Sequence, residues 1–338
     1  MNKITTIGLD LAKNVFHAVC CDKHGKVVRK KMLKRYQVLK YFVNLPVCLV
    51  GMEACASAHY WARKLEESGH QVKLIPPQYV KAYVRGNKND YNDALAIAEA
   101  VVRPEMRFVA VKTTDQQDLQ ALLRLREGCL KERTALCNRL RGLLAEYGLI
   151  LPKGVNVLRR HLPAFLEDGE NGLNELFRRL LAEGYQQLQD LDRHVDSYTQ
   201  ELERQAQQHD ACRRLQTIPG YGPIVASAFH SVIGHGEAYR RGRDVSAAVG
   251  LVPRQHTTGG KIVLLSISKR GDRYLRSLLV HGARSVVIQA TKKEDRLSRW
   301  INKVRAERGF NKAVVALANK MSRIGWAILA HNTVYKAA

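Results

Sequence analysis

Acidic residues are in short supply in this sequence. Its 338 residues carry 31 Asp and Glu against 55 Lys and Arg, a net charge of +24 with histidine neutral, and the pI lies near 9.9. A polyanionic partner is the simplest account of such an excess in a folded chain, and nucleic acid is the polyanion it favours. A membrane-surface role calls for a basic amphipathic helix beside an anchor, and no anchor is visible. Long apolar runs are missing too: none approaches the roughly 18 residues needed to span a bilayer. The chain opens directly on a strand, without an apolar signal segment. These absences predict a soluble, cytoplasmic, nucleoid-associated protein with no membrane partner. Paired cysteines are the third absence. Cys20, Cys21, Cys48, Cys55, Cys129, Cys137 and Cys212 include no C-x-x-C pair, and most sit in apolar runs. That pattern suits buried thiols in a reducing compartment, with neither structural zinc nor disulfide. Hydrophobic residues are not lacking: at 46% they exclude a disordered chain and support real cores, in a length sufficient for two domains.

The first stretch that draws attention is Ile4–Lys13, read as a strand that ends on a carboxylate, Asp10. Its apolar, β-branched positions fit a strand, and Gly8 lets another backbone or a ligand approach closely. Val15–Cys21 reads as a second strand, Asp22–Lys26 as a hairpin turn and Val27–Lys30 as a third strand. Tyr36–Leu45 predicts a short helix offering Tyr36, Leu39, Tyr41 and Phe42 to the core. Val47–Glu53 is a near-continuous apolar run that suits a central parallel strand, and it ends on a second carboxylate, Glu53. Ser57–Ser68 reads as an amphipathic helix closed by Gly69, and Gln71–Ile75 as the next strand. A meander followed by strand, helix, strand and helix predicts a ribonuclease-H-like α/β sheet. Ligands gather at the carboxyl ends of parallel strands in such sheets, where Asp10 and Glu53 fall. The Ala-rich segment from Ala94 predicts a helix, and Asp90 and Asp93, three apart, share a face if the first turn begins there. One acid at a helix start needs only the dipole to explain it; two, after two strand-end acids, are more than a cap requires.

Thr113–Leu151 reads as a long helix with a leucine stripe and basic residues between. Residues 167–210 reverse the charge, with four Lys/Arg against eleven Asp/Glu. Leu181, Leu188, Val195 and Leu202 repeat every seven residues there, an a/d seam of about three heptads that predicts a modest coiled coil. Such a seam suits self-association; the alternative is a helical hairpin within the chain against 113–151. From Arg240 to Arg323 the chain turns basic, twenty Lys/Arg against five Asp/Glu, and this is the principal polyanion surface.

Two motifs lie around the start of that surface. Leu215–Ala228 contains Ile-Pro-Gly-Tyr-Gly and reads as a helix–hairpin–helix in which Gly220 and Gly222 permit a tight turn, so that the second helix's free N–H groups can face a phosphate. The alternative is a packing hairpin without DNA contact. The second motif runs from Gly250 through Thr257-Thr258-Gly259-Gly260-Lys261 to Ser266-Ile267-Ser268-Lys269-Arg270-Gly271-Asp272-Arg273-Tyr274-Leu275-Arg276. A hydroxyl beside two glycines, flanked by Arg254, His256 and Lys261, suits attack on a phosphodiester. The alternative is a loop that only positions DNA. Gly220, Gly222, Arg254, His256, Gly259, Lys261, Lys269, Arg270, Arg273 and Arg276 are thus the candidate nucleic-acid contacts.

Asp10, Glu53, Asp90 and Asp93 form a D-E-D-D set. Convergent carboxylates repel unless cations sit among them, and two hard divalent ions can clamp both oxygens of an in-line phosphoryl displacement. Mg²⁺, or Mn²⁺, is the cofactor this chemistry asks for.

With these residues in hand, the chain resembles the DEDD transposases of bacterial insertion sequences, related to the Piv/MooV DNA invertases. The resemblance rests on Gly-Leu-Asp-Leu-Ala-Lys around Asp10, Met-Glu-Ala at Glu53, Lys-Asn-Asp-Tyr-Asn-Asp-Ala at Asp90 and Asp93, Ile-Pro-Gly-Tyr-Gly, Pro-Arg-Gln-His and Ile-Ser-Lys-Arg-Gly-Asp-x-Tyr-Leu-Arg. It implies a ruvC-like nuclease domain over residues 1–112, a long helix and coiled coil over 113–212, and a C-terminal transposase domain over 213–338. It further implies a structured non-coding bridge RNA that pairs with donor and target DNA, and a homodimer assembling to a tetramer. It also implies a serine in the C-terminal domain that links covalently to DNA while a partner subunit's acids complete the centre. The matching position here is Thr258, whose β-branch restricts χ1 and crowds attack. Three alternatives stand open: Thr258 is the nucleophile, this copy is impaired, or Ser266 or Ser268 does the work. The rival functions are a structure-selective Holliday-junction-type nuclease, which needs the acids but no hydroxyl or guide, and a non-catalytic nucleic-acid-binding protein, which leaves the acids unexplained. An actin-like ATPase lacks a second phosphate loop.

Overall fold

The computed structural model describes residues 3–87 and 89–337. The chain divides into two compact units, one ending at Thr114 and the next beginning at Asp115.

In the first unit, β1 (Thr6–Asp10), β2 (Val15–Cys21) and β3 (Val27–Lys34) form an antiparallel meander. The turn between β2 and β3 is held by the Asp22 carboxylate, which accepts the N–H groups of His24 and Lys26, and Gly25 adopts φ 78° there. After α1 (Val38–Val43), β4 (Leu49–Glu53) returns beside β1 and runs parallel to it; α2 (Ala58–Glu67) then leads to β5 (Gln71–Ile75), parallel to β4. Parallel neighbours need a crossover, and α1 and α2 supply the two. The resulting five-stranded order β3-β2-β1-β4-β5 is a mixed sheet with helices on both faces, compatible with the expected ribonuclease-H-like domain. Tyr36 departs from expectation. It lies in a 3₁₀ turn before α1 and is 77% exposed, so Val38 and Phe42 are the residues that this segment contributes to the core.

One face of the sheet packs Ile7, Leu9, Val50 and Met52 against Val38, Phe42, Trp61 and Leu65. The other is covered by α3 (Pro77–Val80) and α4 (Asp90–Val101). Two glycines set how deeply α4 sits. Gly8 and Gly51 are register partners on β1 and β4. A Cβ on Gly8 would lie 1.9 Å from the Ala94 carbonyl oxygen, and one on Gly51 would lie 2.9 Å from the Val101 Cβ. At Gly8 helix backbone therefore rests almost directly on strand backbone, while at Gly51 the strand takes the Val101 and Ile97 side chains. Asp93 acts on Asp10 at the end of β1 and Glu99 on Cys21, the register partner of Thr6 at its start, so α4 runs antiparallel to β1 and its N-terminus arrives at the carboxyl ends of β1 and β4.

The second unit begins with α5 (Thr114–Ala145), shorter than expected at its C-terminal end, then α6 (Val155–Glu167) and α7 (Glu175–Gln208). The heptad positions Leu181, Leu188, Val195 and Leu202 are all buried inside this one chain. Their neighbours come from α5 and the turn just after it. Arg126 donates to the Thr199 hydroxyl, Arg133 pairs with Asp192, a Cβ on Gly184 would meet Leu140, and Tyr147 stacks on Phe177. Partner numbers add to 325, 325, 324 and 324, the constant sum of an antiparallel helix pair. The seam is thus filled from within the chain, the hairpin alternative rather than a free coiled-coil face. Arg159 of α6 joins Arg133 on Asp192, and α6 packs Leu158 and Leu162 against Leu136, Leu140 and Leu181.

A second apolar cluster gathers the end of α7 with α8 (Asp210–Gln216), α9 (Pro223–Ile233), α10 (Gly242–Ala248), α11 (Arg273–Gln289), α12 (Arg296–Arg308) and α13 (Phe310–His331). By length and composition α13 could cross a membrane, contrary to the expectation from the apolar runs. It buries Val314, Leu317, Ala318, Met321, Ile328 and Leu329 in this cluster instead. Between α10 and α11 lies a feature not anticipated: β6 (Pro253–Thr258) and β7 (Lys261–Ile267) form a separate two-stranded antiparallel ribbon.

Candidate functional site

The four sequence-predicted acids lie within electrostatic reach of Asp10, but among the described residues only Asp10 and Asp90 belong to a group with ligand atoms within 4.8 Å of one another. Asp10 closes β1 and Glu53 closes β4, one strand over. Asp90 and Asp93 occupy the first turn of α4, which starts at Asp90 because the Asn89 side chain caps it, accepting the Tyr91 N–H at 2.9 Å. The condition set by the sequence is met: the first turn exists, so the two acids share a face. Asp10, Glu53 and Asp93 are half-buried and Asp90 is exposed.

Their charges act on one another. Burial raises the Asp10 carboxyl from 3.8 to about 6, with further upward pressure from the charges of Asp93, Asp90 and Glu53 that the Leu11 N–H only partly offsets. Glu53 is also raised, by burial and then by Asp93. Like charges crowded in a partly dry site disfavour ionisation unless a cation neutralises them. The donor set is oxygen-rich and negatively charged, which fits Mg²⁺ or Mn²⁺.

One member of this cluster escaped the sequence reading. His17 on β2 is the register partner of Asp10, and its Nδ1 lies 3.5 Å from the Asp90 carboxylate. Ligand atoms of Asp10, His17 and Asp90 all fall within 4.8 Å of one another. The signal that could have found it is pairing register: directly opposed residues of an antiparallel pair project to the same face. Cys55, exposed two residues beyond Glu53, has its thiol raised by burial and by the charges of Glu53 and Asp10.

The C-terminal candidates lie in the other unit. Thr258 is the last residue of β6 and faces Lys261 across a two-residue turn, Gly259-Gly260, with φ of 56° and 78°. Positive φ at both positions defines a type I′ hairpin turn, which matches the twist of the flanking strands and favours glycine. Thr258 is therefore displayed, exposed, at the tip of a ribbon. Strand alternation puts His256 on its face. Arg254 is four residues back, about 14 Å along the strand, where it donates to the Ser266 hydroxyl at 3.3 Å. Ser268 is half-buried at the ribbon's base, and its Oγ is buried without a partner.

The ribbon is anchored by interlocked backbones. A Cβ on Gly271 would lie 1.7 Å from the Ala248 carbonyl oxygen, and one on Gly250 would lie 2.2 Å from that of Arg270. Arg276 donates from Nη1 to the Val249 and Arg270 carbonyls, both at 2.9 Å. Its observed partners are thus backbone groups, and the observed task of Arg276 is to clamp the anchor. Lys269, Arg270 and Arg273 are exposed beside it.

Helices α8 and α9 flank the Pro-Gly-Tyr-Gly turn. Gly220 has φ 89° and packs against the Gly282 backbone of α11, while Gly222 is the N-cap of α9 with Pro223 at N1 and no side-chain cap. Tyr221 is buried and donates to the Met321 carbonyl at 3.3 Å. The turn opens onto a cleft of about 550 Å³ that also takes in Ser285 and Lys293, two polar residues the motif alone did not indicate.

A carboxylate cluster on a mixed α/β sheet, joined to a basic unit with a displayed hydroxyl, is the profile of a phosphoryl-transfer protein acting on nucleic acid. The sequence comparisons are specific. Residues 7–149 match the DEDD IS110 family described as Transposase, and residues 212–298 match the Transposase IS116/IS110/IS902 family. A probable family 20 transposase of Pseudomonas aeruginosa is 48% identical over 338 residues, covering 98% of this chain and 99% of that protein. The transposase for insertion sequence element IS1111A of Coxiella burnetii is 44% identical over 336 residues, covering 99% and 92%. A pilin gene-inverting protein of Moraxella lacunata is a distant relative, 23% identical over 349 residues with 97% and 96% covered. The chain belongs to the IS110/IS116/IS902 family of insertion-sequence transposases, enzymes of DNA strand transfer.

Proposed function

We propose that this transposase is an RNA-guided, metal-dependent DNA recombinase that cleaves and exchanges strands between donor and target DNA through a covalent hydroxyl–phosphate intermediate. The observation that carries the reading is the convergence of Asp10, Glu53, Asp90 and Asp93 at the strand ends, with Asp10 driven up to about 6 by burial and by the other three. Those four residues hold Mg²⁺ or Mn²⁺, which when bound neutralises charge developing on the transferring phosphate. Residues 1–112 act as the ruvC-like nuclease domain, 113–212 as the helical arm and 213–338 as the DNA-binding transposase domain.

Thr258 Oγ1 attacks phosphorus. A new O–P bond forms as the bond to a deoxyribose oxygen breaks; the hydroxyl proton passes to a base, with His256 on the same ribbon face as the candidate, and the leaving oxygen takes up a proton. Gly259 and Gly260 keep bulk away from the incoming phosphodiester. Arg254, Lys261, Lys269, Arg270 and Arg273 grip the backbone, and Arg276 holds the ribbon's base. The Gly220–Gly222 turn, with uncapped N–H groups and Lys293 in its cleft, takes a second stretch of phosphate. A structured bridge RNA and a homodimer that assembles into a tetramer complete the proposal.

The test uses purified protein with its co-purified nucleic acid and labelled donor DNA. Asp93→Ala loses strand cleavage while DNA affinity stays within about twofold, since cation contacts to phosphate dominate binding. Thr258→Ala loses the protein–DNA adduct seen in denaturing gels. Full recombination by Asp93→Ala refutes the metal-site assignment. Acid-dependent cleavage without any adduct in the wild type moves the chain to a structure-selective junction nuclease. Binding without cleavage of any DNA moves it to a non-catalytic binder.

A further inference from the structure

The imidazole of His17 stands inside the acidic cluster, not beside it, and the D-E-D-D pattern does not include it. Antiparallel pairing places His17 directly across from Asp10, and opposed Cβ atoms of such pairs lie about 4.5–5.5 Å apart. The side chain is only 12% exposed. Its ring meets the Tyr91 ring edge-on with centroids 4.8 Å apart, and the Lys30 ammonium lies 5.7 Å from the Tyr91 ring centroid. Packing therefore fixes the plane of the imidazole.

Distances then indicate what the ring can do. Two ligands on adjacent corners of an octahedral ion, with bonds of about 2.1 Å, lie about 3.0 Å apart. His17 Nδ1 and Asp90 Oδ2 are 3.5 Å apart, and an Asp10 oxygen is within 4.8 Å of both. A shift of about half an ångström, well within side-chain reach, brings the nitrogen and one carboxylate oxygen to coordination spacing.

We propose that His17 is a nitrogen ligand of one ion in this centre, so that the site takes Mn²⁺ in preference to Mg²⁺; this rests on the four acids being the metal site. Imidazole is a borderline donor that suits transition ions, whereas Mg²⁺ keeps oxygen ligands and water. An all-carboxylate centre has no comparable reason to discriminate. A histidine that only oriented Asp90 by hydrogen bonding would leave the ion in an all-oxygen shell, and the two arrangements differ spectroscopically.

The experiment loads the full-length protein with Mn²⁺ and records electron spin echo envelope modulation. Wild type gives ¹⁴N modulation from a coordinated imidazole; His17→Ala and His17→Gln both lose it. Mn²⁺ affinity falls about tenfold or more in both variants while Mg²⁺ affinity changes less than about threefold. His17→Gln retains a hydrogen-bonding group toward Asp90, and circular dichroism verifies that both variants fold. If wild-type Mn²⁺ is bound in an Asp10- and Asp93-dependent manner without nitrogen modulation, or if the modulation persists in both His17 variants, the ligand assignment is overturned and the acidic centre stands. If Mn²⁺ binding is indifferent to Asp10→Asn and Asp93→Asn, the acidic-centre reading fails with it.

Discussion

Replacing Asp10 by Asn should stabilise the metal-free protein while destroying its response to metal. The native fold raises the Asp10 carboxyl from 3.8 to about 6, so between those values the folded chain holds a proton that the unfolded chain releases. Stability therefore falls as pH rises through that window, and the full cost is present above about pH 6. The unscreened shift corresponds to about 3 kcal/mol. Asp10 is only half-buried, and solvent screening reduces that to about 1.5 kcal/mol. Asn keeps an oxygen to accept the Leu11 N–H but carries no charge among Asp93, Asp90 and Glu53. In chelator at pH 7.5 the variant should melt about 2 °C above wild type, at about 1.4 °C per kcal/mol for an unfolding entropy of about 2.1 cal/mol/K per residue over 338 residues. Near pH 4 the two should melt together. Excess Mg²⁺ or Mn²⁺ should raise the wild-type midpoint and leave the variant's unchanged. Differential scanning fluorimetry across pH 4–8 reads all three results. A variant that melts below wild type at pH 7.5, or a gap that does not change with pH, refutes the crowded-carboxylate account.

Other consequences can be checked on the same preparations. Gly8→Ala places a methyl 1.9 Å from the Ala94 carbonyl oxygen; lifting α4 off the sheet should cost about 1–3 kcal/mol and weaken metal binding, read by denaturant titration and calorimetry. Leu188→Ala should cost about 2–5 kcal/mol yet leave the sedimentation mass unchanged, because its seam is filled from α5 of the same chain; dissociation into smaller species would return the seam to the subunit interface. Thr258→Ser should retain the covalent adduct, since the less crowded hydroxyl occupies the same place at the ribbon tip, whereas an adduct surviving in Thr258→Ala would transfer the nucleophile to another residue.

Much of the first unit is legible because its strands are short apolar runs that end on carboxylates. Val15–Cys21 and Gln71–Ile75 fall where the pattern placed them, and Asp10 and Glu53 sit at strand ends. His17 was not legible as a site residue: its strand was, but which residue opposes Asp10 depends on register, and register depends on the turn between them. The heptad seam was visible and its partner was not, because the same apolar spacing serves a helix of the same chain or of another. Ile262–Leu265, apolar throughout, looks like core material, yet all four residues are 48–66% exposed. The ribbon is hard to see in the sequence because Gly259-Gly260 serves two ends at once, small residues beside a hydroxyl and a two-residue hairpin turn.

The bed of Gly8 and Gly51 beneath α4 makes carboxylate spacing a matter of how closely the helix can settle. The separation between strand ends and the Asp90–Asp93 turn is set by main chain against main chain at Gly8 and by the branched Ile97 and Val101 side chains against Gly51. A one-methyl change under the helix, invisible from solvent, reaches all four acids at once. Variation among such enzymes is expected to be absent at the two glycines.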